Sequence, residues 1–404
     1  MLKIYFILVL TLLLTGCNSA MRPQESISDR VTPSASSSNK LIIDTDFTTI
    51  GDDGQALIMA AQLHKQGIIK LLGVTVLTGN VWLKQASSDA LRAVERMGIE
   101  VDVGVYAGAN LPLVNDPRRF KNELAMFGTN EDYQFSFYFQ PPADKDIIPP
   151  IDGFATHSTM REESAIDFII NTVKANPHEV SILAIGPATN IAMAIHKAPD
   201  IIPLIKRIVY MAGAVEVPGN ATIAAETNVW IDPEAMHNVF RQPIDQTIVP
   251  LDVTNTIQID KRVYDQISSG DGIVARLFRA SVSQEYFNNN QGGKLNVYDT
   301  LALAFVIDET LATDIGVYYM DIDINLDHDY GHMLAYVCND TKKTCNRLPK
   351  NESASFPARI NPVSARLLEK ELPDGLLQKI KVIRKFDSKR FFDLYVDLLT
   401  RHLN

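Results

Sequence analysis

Leu41-Ile42-Ile43-Asp44-Thr45-Asp46-Phe47-Thr48-Thr49-Ile50-Gly51-Asp52-Asp53 is a short apolar run that ends in four carboxylates within ten residues. Apolar residues at Ala56, Leu57, Ala60, Ala61 and Leu63 follow at helical spacing. A buried strand that passes through an acidic turn into a helix is the first half of a strand–helix–strand unit. Four like charges this close repel one another strongly unless a cation sits among them. Oxygen-only ligands suit a hard metal, Ca²⁺ or Mg²⁺. Helix capping accounts for Asp52 or Asp53, because an acid in the first turn is favourable without a metal. It does not account for all four.

The alternation continues outward from this stretch. Residues 68–77 read as a second strand, 84–97 as a helix and 101–105 as a third strand; further strand-like runs lie at 180–185, 208–212 and 247–253, with helices at 164–174 and 188–196. The pattern predicts a single large α/β domain with a mostly parallel, open Rossmann-like central sheet flanked by helices, and ligands at the carboxyl ends of the strands. Residues 112–150 break the pattern. They carry Phe120, Phe127, Tyr133, Phe135, Phe137, Tyr138 and Phe139 between prolines, so an insertion at about 113–150 reads either as a lid or binding loop or as a flap covering core. No internal repeat is present.

A chain of 404 residues with 46% hydrophobic and 21% charged side chains is of ordinary globular composition, which excludes disorder for most of it. The formal net charge of −10 gives no electrostatic footprint for nucleic acid. Three cysteines are too few for a disulfide scaffold. Met1-Leu2-Lys3 and the apolar run 4–14 form a signal peptide, and Leu14-Thr15-Gly16-Cys17 resembles a bacterial lipobox. That likeness implies loss of residues 1–16 and lipid attachment at Cys17. Asn18, in place of Asp, implies outer-membrane sorting, so the chain is expected on the periplasmic side of the envelope, held to the membrane by its anchor. Residues 17–40, rich in serine, read as a disordered tether, and 41–404 as the folded domain. Cys338 and Cys345 bracket a short polar stretch, and in an oxidising compartment a loop-closing disulfide between them is expected.

Two enzyme classes open with such an acidic strand end. Asp44-x-Asp46-x-Thr48 resembles the start of haloacid-dehalogenase-type phosphatases, in which Asp44 would attack phosphorus. Asp-x-Asp followed by Gly-Asp-Asp resembles the start of inosine/uridine-preferring nucleoside hydrolases. Downstream stretches are similar to the second class: Thr78-Gly79-Asn80, Val105-Tyr106-Ala107-Gly108-Ala109-Asn110, Gly186-Pro187-Ala188-Thr189-Asn190-Ile191-Ala192, Met211-Ala212-Gly213, Gly219-Asn220, Glu226-Thr227-Asn228, Asp252-Val253-Thr254 and Tyr298-Asp299-x-Leu301-Ala302. The resemblance runs from about residue 41 to 400, and no phosphatase Lys or late acidic pair stands at a suitable place.

The resemblance implies that Asp46, Asp53, Asp299 and the Ile185 carbonyl bind one Ca²⁺, and that Asp46 takes a proton from the water that attacks C1′ of a nucleoside or related ribosyl compound. It implies that Asp52, Asn80, Asn220, Glu226 and Asn228 hydrogen-bond the ribose hydroxyls, with Met211 near C5′. Two departures stand out. Five residues, 47–51, separate Asp46 from the Asp52–Asp53 pair where the family has three, so the extra residues are expected to bulge outward. Tyr298 stands where inosine/uridine-preferring members have His before the final metal Asp, and Ile151-Asp152-Gly153 lacks the family's other His. Tyr298 or the nearby His157 is left as a leaving-group contact, and Trp82 and Trp230 as stacking or packing groups. These departures favour an alternative, a non-catalytic Ca²⁺-dependent ribose- or nucleoside-binding lipoprotein. The retained acids favour an enzyme. Related enzymes form dimers or tetramers, which leaves a homodimer or homotetramer open here.

Overall fold

A computed structural model describes residues 39–49, 51–127, 141–282, 287, 293–326, 328–339, 344–347 and 377–401. β1 (Asn39–Thr45) leads into α1 (Asp52–Lys65), β2 (Ile69–Val76), α2 (Leu83–Arg96) and β3 (Gly104–Ala107). The insertion holds α3 (Pro117–Phe127). Alternation resumes with α4 (Ala165–Ala175), β4 (Val180–Ala184), α5 (Thr189–Lys197), β5 (Arg207–Met211), α6 (Thr227–Ile231), α7 (Pro233–Phe240) and β6 (Gln246–Val249). Then come α8 (Leu251–Thr254), β7 (Gln258–Ile259), α9 (Lys261–Ser268), α10 (Ile273–Ser281), β8 (Leu295–Asn296) and α11 (Asp299–Ile307). Four strands, β9 (Ala312–Ile322), β10 (Met333–Asn339), β11 (Thr344–Arg347) and β12 (Gln378–Phe386), precede α12 (Ser388–Thr400).

Among the described residues, ten strands form one sheet in the order β11-β10-β9-β12-β6-β5-β4-β1-β2-β3. From β12 to β3 every neighbouring pair is parallel. β9, β10 and β11 extend it antiparallel. The sheet is therefore mostly parallel, as the alternation predicts. The central strands are apolar on both sides because helices cover both faces. Ile42, Ile182, Ile208 and Ile248 pack with Ile169, Val173, Ile191, Ile195 and Val239 of α4, α5 and α7. Leu41, Ile43, Leu183 and Val209, alternating with them, are equally buried on the opposite face. Ser164 caps α4 by accepting from the Asp167 N–H at 3.1 Å, and Asp232 caps α7 by accepting from Ala235 N–H at 3.0 Å.

This topology positions the site. The chain runs from β1 outward through β2 to β3, then returns to the other side of β1 for β4. β1 and β4 thus flank a reversal of strand order, and beyond the carboxyl ends of such a pair lies the crevice where open α/β sheets bind ligands.

Several expectations need correction. The third strand is Gly104–Ala107, and Val101, 84% exposed, stands in the preceding turn. The run 247–253 divides: β6 ends at Val249, and Pro250, extended at ψ 175°, opens the helical turn Leu251–Thr254. Between Asp46 and Asp52, Phe47 is 1% exposed and Thr49 is buried, so these two residues do not bulge outward. The signal peptide, Cys17 and most of the tether lie outside the described residues, as do the aromatic run 133–139 and the Cys338 and Cys345 side chains. The backbone register of β10 and β11 does pair position 338 with 345.

Candidate active site

Asp46 follows the last residue of β1 and is fully buried. Two glycines make room for it. A Cβ at Gly79 would lie 2.2 Å from Asp46 Oδ2, and one at Gly186 would lie 2.8 Å from the Asp46 nitrogen and 3.1 Å from Oδ1. The loops after β2 and β4 therefore close on this carboxylate from two sides, which only glycine permits. The Asn80 N–H donates to Asp46 Oδ2 at 2.6 Å. The other oxygen of Asp46, Oδ1, is buried and has no hydrogen-bond partner among the described residues.

The first turn of α1 brings Asp52 and Asp53 alongside, and the start of α11 brings Asp299. Among the described residues, carboxylate oxygens of Asp52, Asp53 and Asp299 lie within 4.8 Å of one another. Asp52 Oδ2 accepts from the Tyr298 and Asp299 N–H groups at 3.2 and 3.4 Å. Asp53 accepts from the Thr45 hydroxyl and, at 3.5 Å, from that of Thr48.

Burial and mutual repulsion define the electrostatics. Burial pushes Asp46 up to about 7, against the Asn80 hydrogen bond, with the Asp52 and Glu226 charges adding to the rise. Burial, then the neighbouring Asp46 and Asp52, hold Asp53 well above the usual carboxylate range. Burial and the charges of Asp52, Asp53, Asp46 and Glu226 do the same for Asp299. Glu226, also raised by burial to about 7, faces this group although it caps α6 through the Asn228 and Val229 N–H groups and accepts from Gly213 N–H at 2.9 Å. The convergence of buried oxygens and the orphaned Asp46 Oδ1 fit a hard cation. Asp52, expected on the sugar, stands in the tight triple. Asp46, expected as a ligand, lies outside that triple and acts on it through its charge.

The remaining expected residues divide. The Ile185 carbonyl accepts from the Asn228 side chain at 3.4 Å, and the same amide reaches the Met211 carbonyl at 3.1 Å, which draws Ile185, Met211 and Asn228 together beside the cluster. Asn220 Oδ1 accepts from Thr227 N–H at 3.0 Å and so ties the 219–220 turn to α6. His157 is not brought to the cluster. Its backbone N–H donates at 2.8 Å to Glu95, which lies near the C-terminal end of α2, about 18 Å along the helix from Leu83 at 1.5 Å per residue. Asp152 fixes the same loop through Arg96 at 2.6 Å and Arg92 at 3.1 Å. Trp82 and Trp230 are core residues, Trp230 meeting Phe120 of the insertion edge-on at 4.7 Å. Leu113 N–H donates to Asp232 at 2.9 Å, so the described start of the insertion is anchored over α6 and α7.

Three groups have places that the sequence reading did not assign them. Asp44 is sealed below the site, its Oδ1 accepting from Thr75 at 2.5 Å and from Asn190 at 2.8 Å. Asn190 Oδ1 in turn accepts from Ala109 N–H at 2.8 Å, so one buried amide ties the ends of β1 and β3 to α5. Asp89 of α2, raised to about 6 mainly by burial, accepts from the Gln85 side chain at 3.1 Å. The signal for Asp44 was its spacing: i and i+2 on a strand share a face.

A family model described as inosine-uridine preferring nucleoside hydrolase matches residues 41–393. Probable uridine nucleosidase 1 of Oryza sativa subsp. japonica is 33% identical over 219 residues, 54% of this chain, and the chain spans only 60% of that protein. Pyrimidine-specific ribonucleoside hydrolase RihB of Escherichia coli (strain SE11) is 28% identical over 308 residues, covering 74% of this chain and 87% of its own length. Among solved structures, a plant nucleoside hydrolase superposes with a TM-score of 0.67 at 21% identity, over 90% of this chain and 99% of its own. At that identity the likeness speaks for the fold.

Proposed function

The chain belongs to the inosine-uridine preferring nucleoside hydrolase family, and on that premise we propose that it hydrolyses the N-glycosidic bond of ribonucleosides or a related ribosyl compound, releasing base and ribose. The observation that carries this reading is Asp46, a buried carboxylate with one oxygen fixed by Asn80 and the other without a partner among the described residues, close enough to three converging acids to feel their charge. We propose Ca²⁺ as the cation, held by Asp52, Asp53 and Asp299. When bound it would offset the repulsion of these acids and polarise a water and the sugar hydroxyls.

Asp46 Oδ1 is the acceptor for the proton of the attacking water. Its raised affinity for a proton matches that task near neutral pH. Departure of the base from C1′ places positive charge on the sugar ring ahead of bonding to the water, and the surrounding carboxylates stabilise it. Asn80 spends its backbone N–H on Asp46, which leaves its side-chain amide for a ribose hydroxyl. Asn220, Glu226 and Asn228 form the remaining polar wall, with Met211 beside it. A sugar lacking those hydroxyls would leave buried groups unpaired and be rejected. The lipobox-like Leu14-Thr15-Gly16-Cys17 supports a periplasmic, lipid-anchored location.

Purified full-length chain, offered several ribonucleosides with Ca²⁺ or with chelator, tests the reading by base release. Release that chelator and Asp46→Asn both abolish supports it. Binding without turnover, indifferent to Asp46→Asn, sinks it and favours the binding lipoprotein.

A further inference from the structure

Alternation along β1 sends the Thr45 side chain to the other face of the strand from Asp44. Asp44 is taken by Thr75 and Asn190, whereas the Thr45 hydroxyl donates to Asp53 Oδ1 in the first turn of α1. Thr45 is fully buried and its backbone is locked into the sheet: it pairs with Val76, and its carbonyl accepts from the Leu77 N–H at 3.2 Å. A β-branched side chain in such a strand has little rotational freedom. The hydroxyl therefore reaches Asp53 from a rigid base, across the whole acidic turn.

Asp53 needs such a hold. It is buried, and the charges of Asp46 and Asp52 press on it, so an untethered carboxylate would turn away from them. Held as it is, one of its oxygens stays within 4.8 Å of those of Asp52 and Asp299. A carboxylate oxygen has two lone pairs, so accepting from a hydroxyl leaves one for a cation. Thr48, in the lengthened link 47–51, adds a longer contact, its hydroxyl lying 3.5 Å from Asp53 Oδ2. Gly51 leaves room for it, because a Cβ there would stand 2.1 Å from Thr48 Oγ1. Resting on the cation site proposed above, we infer that Thr45, with Thr48 as a weaker second, is a positioning residue that holds the Asp53 carboxylate in its ligating orientation and so sets the affinity for the hard cation.

Isothermal titration of the chelator-stripped full-length chain with Ca²⁺ tests this without recourse to base release. Thr45→Val keeps the shape of the side chain and removes the O–H, and it should weaken Ca²⁺ binding about 10- to 100-fold. Thr45→Ser, which keeps the hydroxyl and loses only the methyl, should bind within about three-fold of wild type. A hydroxyl that served packing or folding alone would not give that rescue. Thermal scans in chelator establish that each variant is folded. Thr48→Val, at a half-buried position, keeps the test open should Thr45→Val not fold, and should weaken binding by about three-fold, in keeping with its longer contact. Thr45→Val that binds Ca²⁺ as tightly as wild type, or Thr45→Ser as weak as Thr45→Val, would overturn the inference while leaving the cation site and the hydrolase reading intact. A wild-type chain that takes up no Ca²⁺ refutes the cation reading and the inference together.

Discussion

Raising the pH should destabilise the cation-free protein, and the extent follows from the buried acids. Asp46 titrates at about 7 in the folded chain against 3.8 for an ordinary Asp, and Glu226 at about 7 against 4.5. Folded-state values above the unfolded ones mean that the native state binds the extra protons. Their stabilising effect is complete below the unfolded values and is lost as pH climbs through 7. Between pH 5 and 7 each group forfeits roughly two pH units of it, about 3 kcal/mol at about 1.4 kcal/mol per unit. With unfolding entropy near 2.1 cal/mol/K per residue over a domain of several hundred residues, that is a fall in Tm of about 4 °C for each acid. Asp53 and Asp299, also raised, act in the same direction. Asp152 and Asp321, which ion pairs hold low, are ionised in both states above pH 5 and add no slope. Calorimetry in chelator at pH 5 and pH 8 should therefore show the lower Tm at pH 8. Saturating Ca²⁺ should restore more at pH 8 than at pH 5, since it binds the ionised cluster. A chelated Tm that is flat or rises over this range, or a Ca²⁺ increment equal at both pH values, would refute the reasoning.

Asp46→Asn should cut kcat by about 10²–10⁴ while keeping the Ca²⁺-dependent rise in Tm, whereas Asp299→Asn should lose that rise; steady-state assays beside thermal scans separate the two. Gly79→Ala places its Cβ on the Asp46 carboxylate, so activity should fall at least about 100-fold with a far smaller change in denaturation midpoint. Asn190→Leu strands Asp44 and the Ala109 N–H in the core and should cost about 3 kcal/mol in urea unfolding.

How much of this was legible in the sequence depends on the reach of each signal. Leu41-Ile42-Ile43 and the runs at 180–185 and 208–212 declare themselves because both sides of their strands are buried. β9 does not, because Thr313, Ile315 and Val317 are exposed along one edge of its pattern and no helix follows. Pro250 marks the end of β6, a local breaker inside what reads as one apolar run. At the site, Gly79 and Gly186 stand in recognisable motifs, and the structure supplies their reason: each gives way to Asp46. The burial of Phe47 and Thr49 after the acidic strand end is set by tertiary packing, and no local pattern carries that. The ribbon of β7 and β8 is only two residues per strand, too short for any periodicity to announce. His157 shows the converse, since proximity in sequence to the family's missing His did not bring it near the cluster.

The most direct test of the central claim is a proton NMR time course of uridine and inosine with the full-length chain and Ca²⁺. Free base and ribose should appear in equal amounts, the sugar first as the α anomer because water attacks opposite the leaving base, and chelator should stop the reaction. Absence of base release from any ribonucleoside by the Ca²⁺-loaded chain, or release unaffected by chelator and by Asp46→Asn, would contradict it.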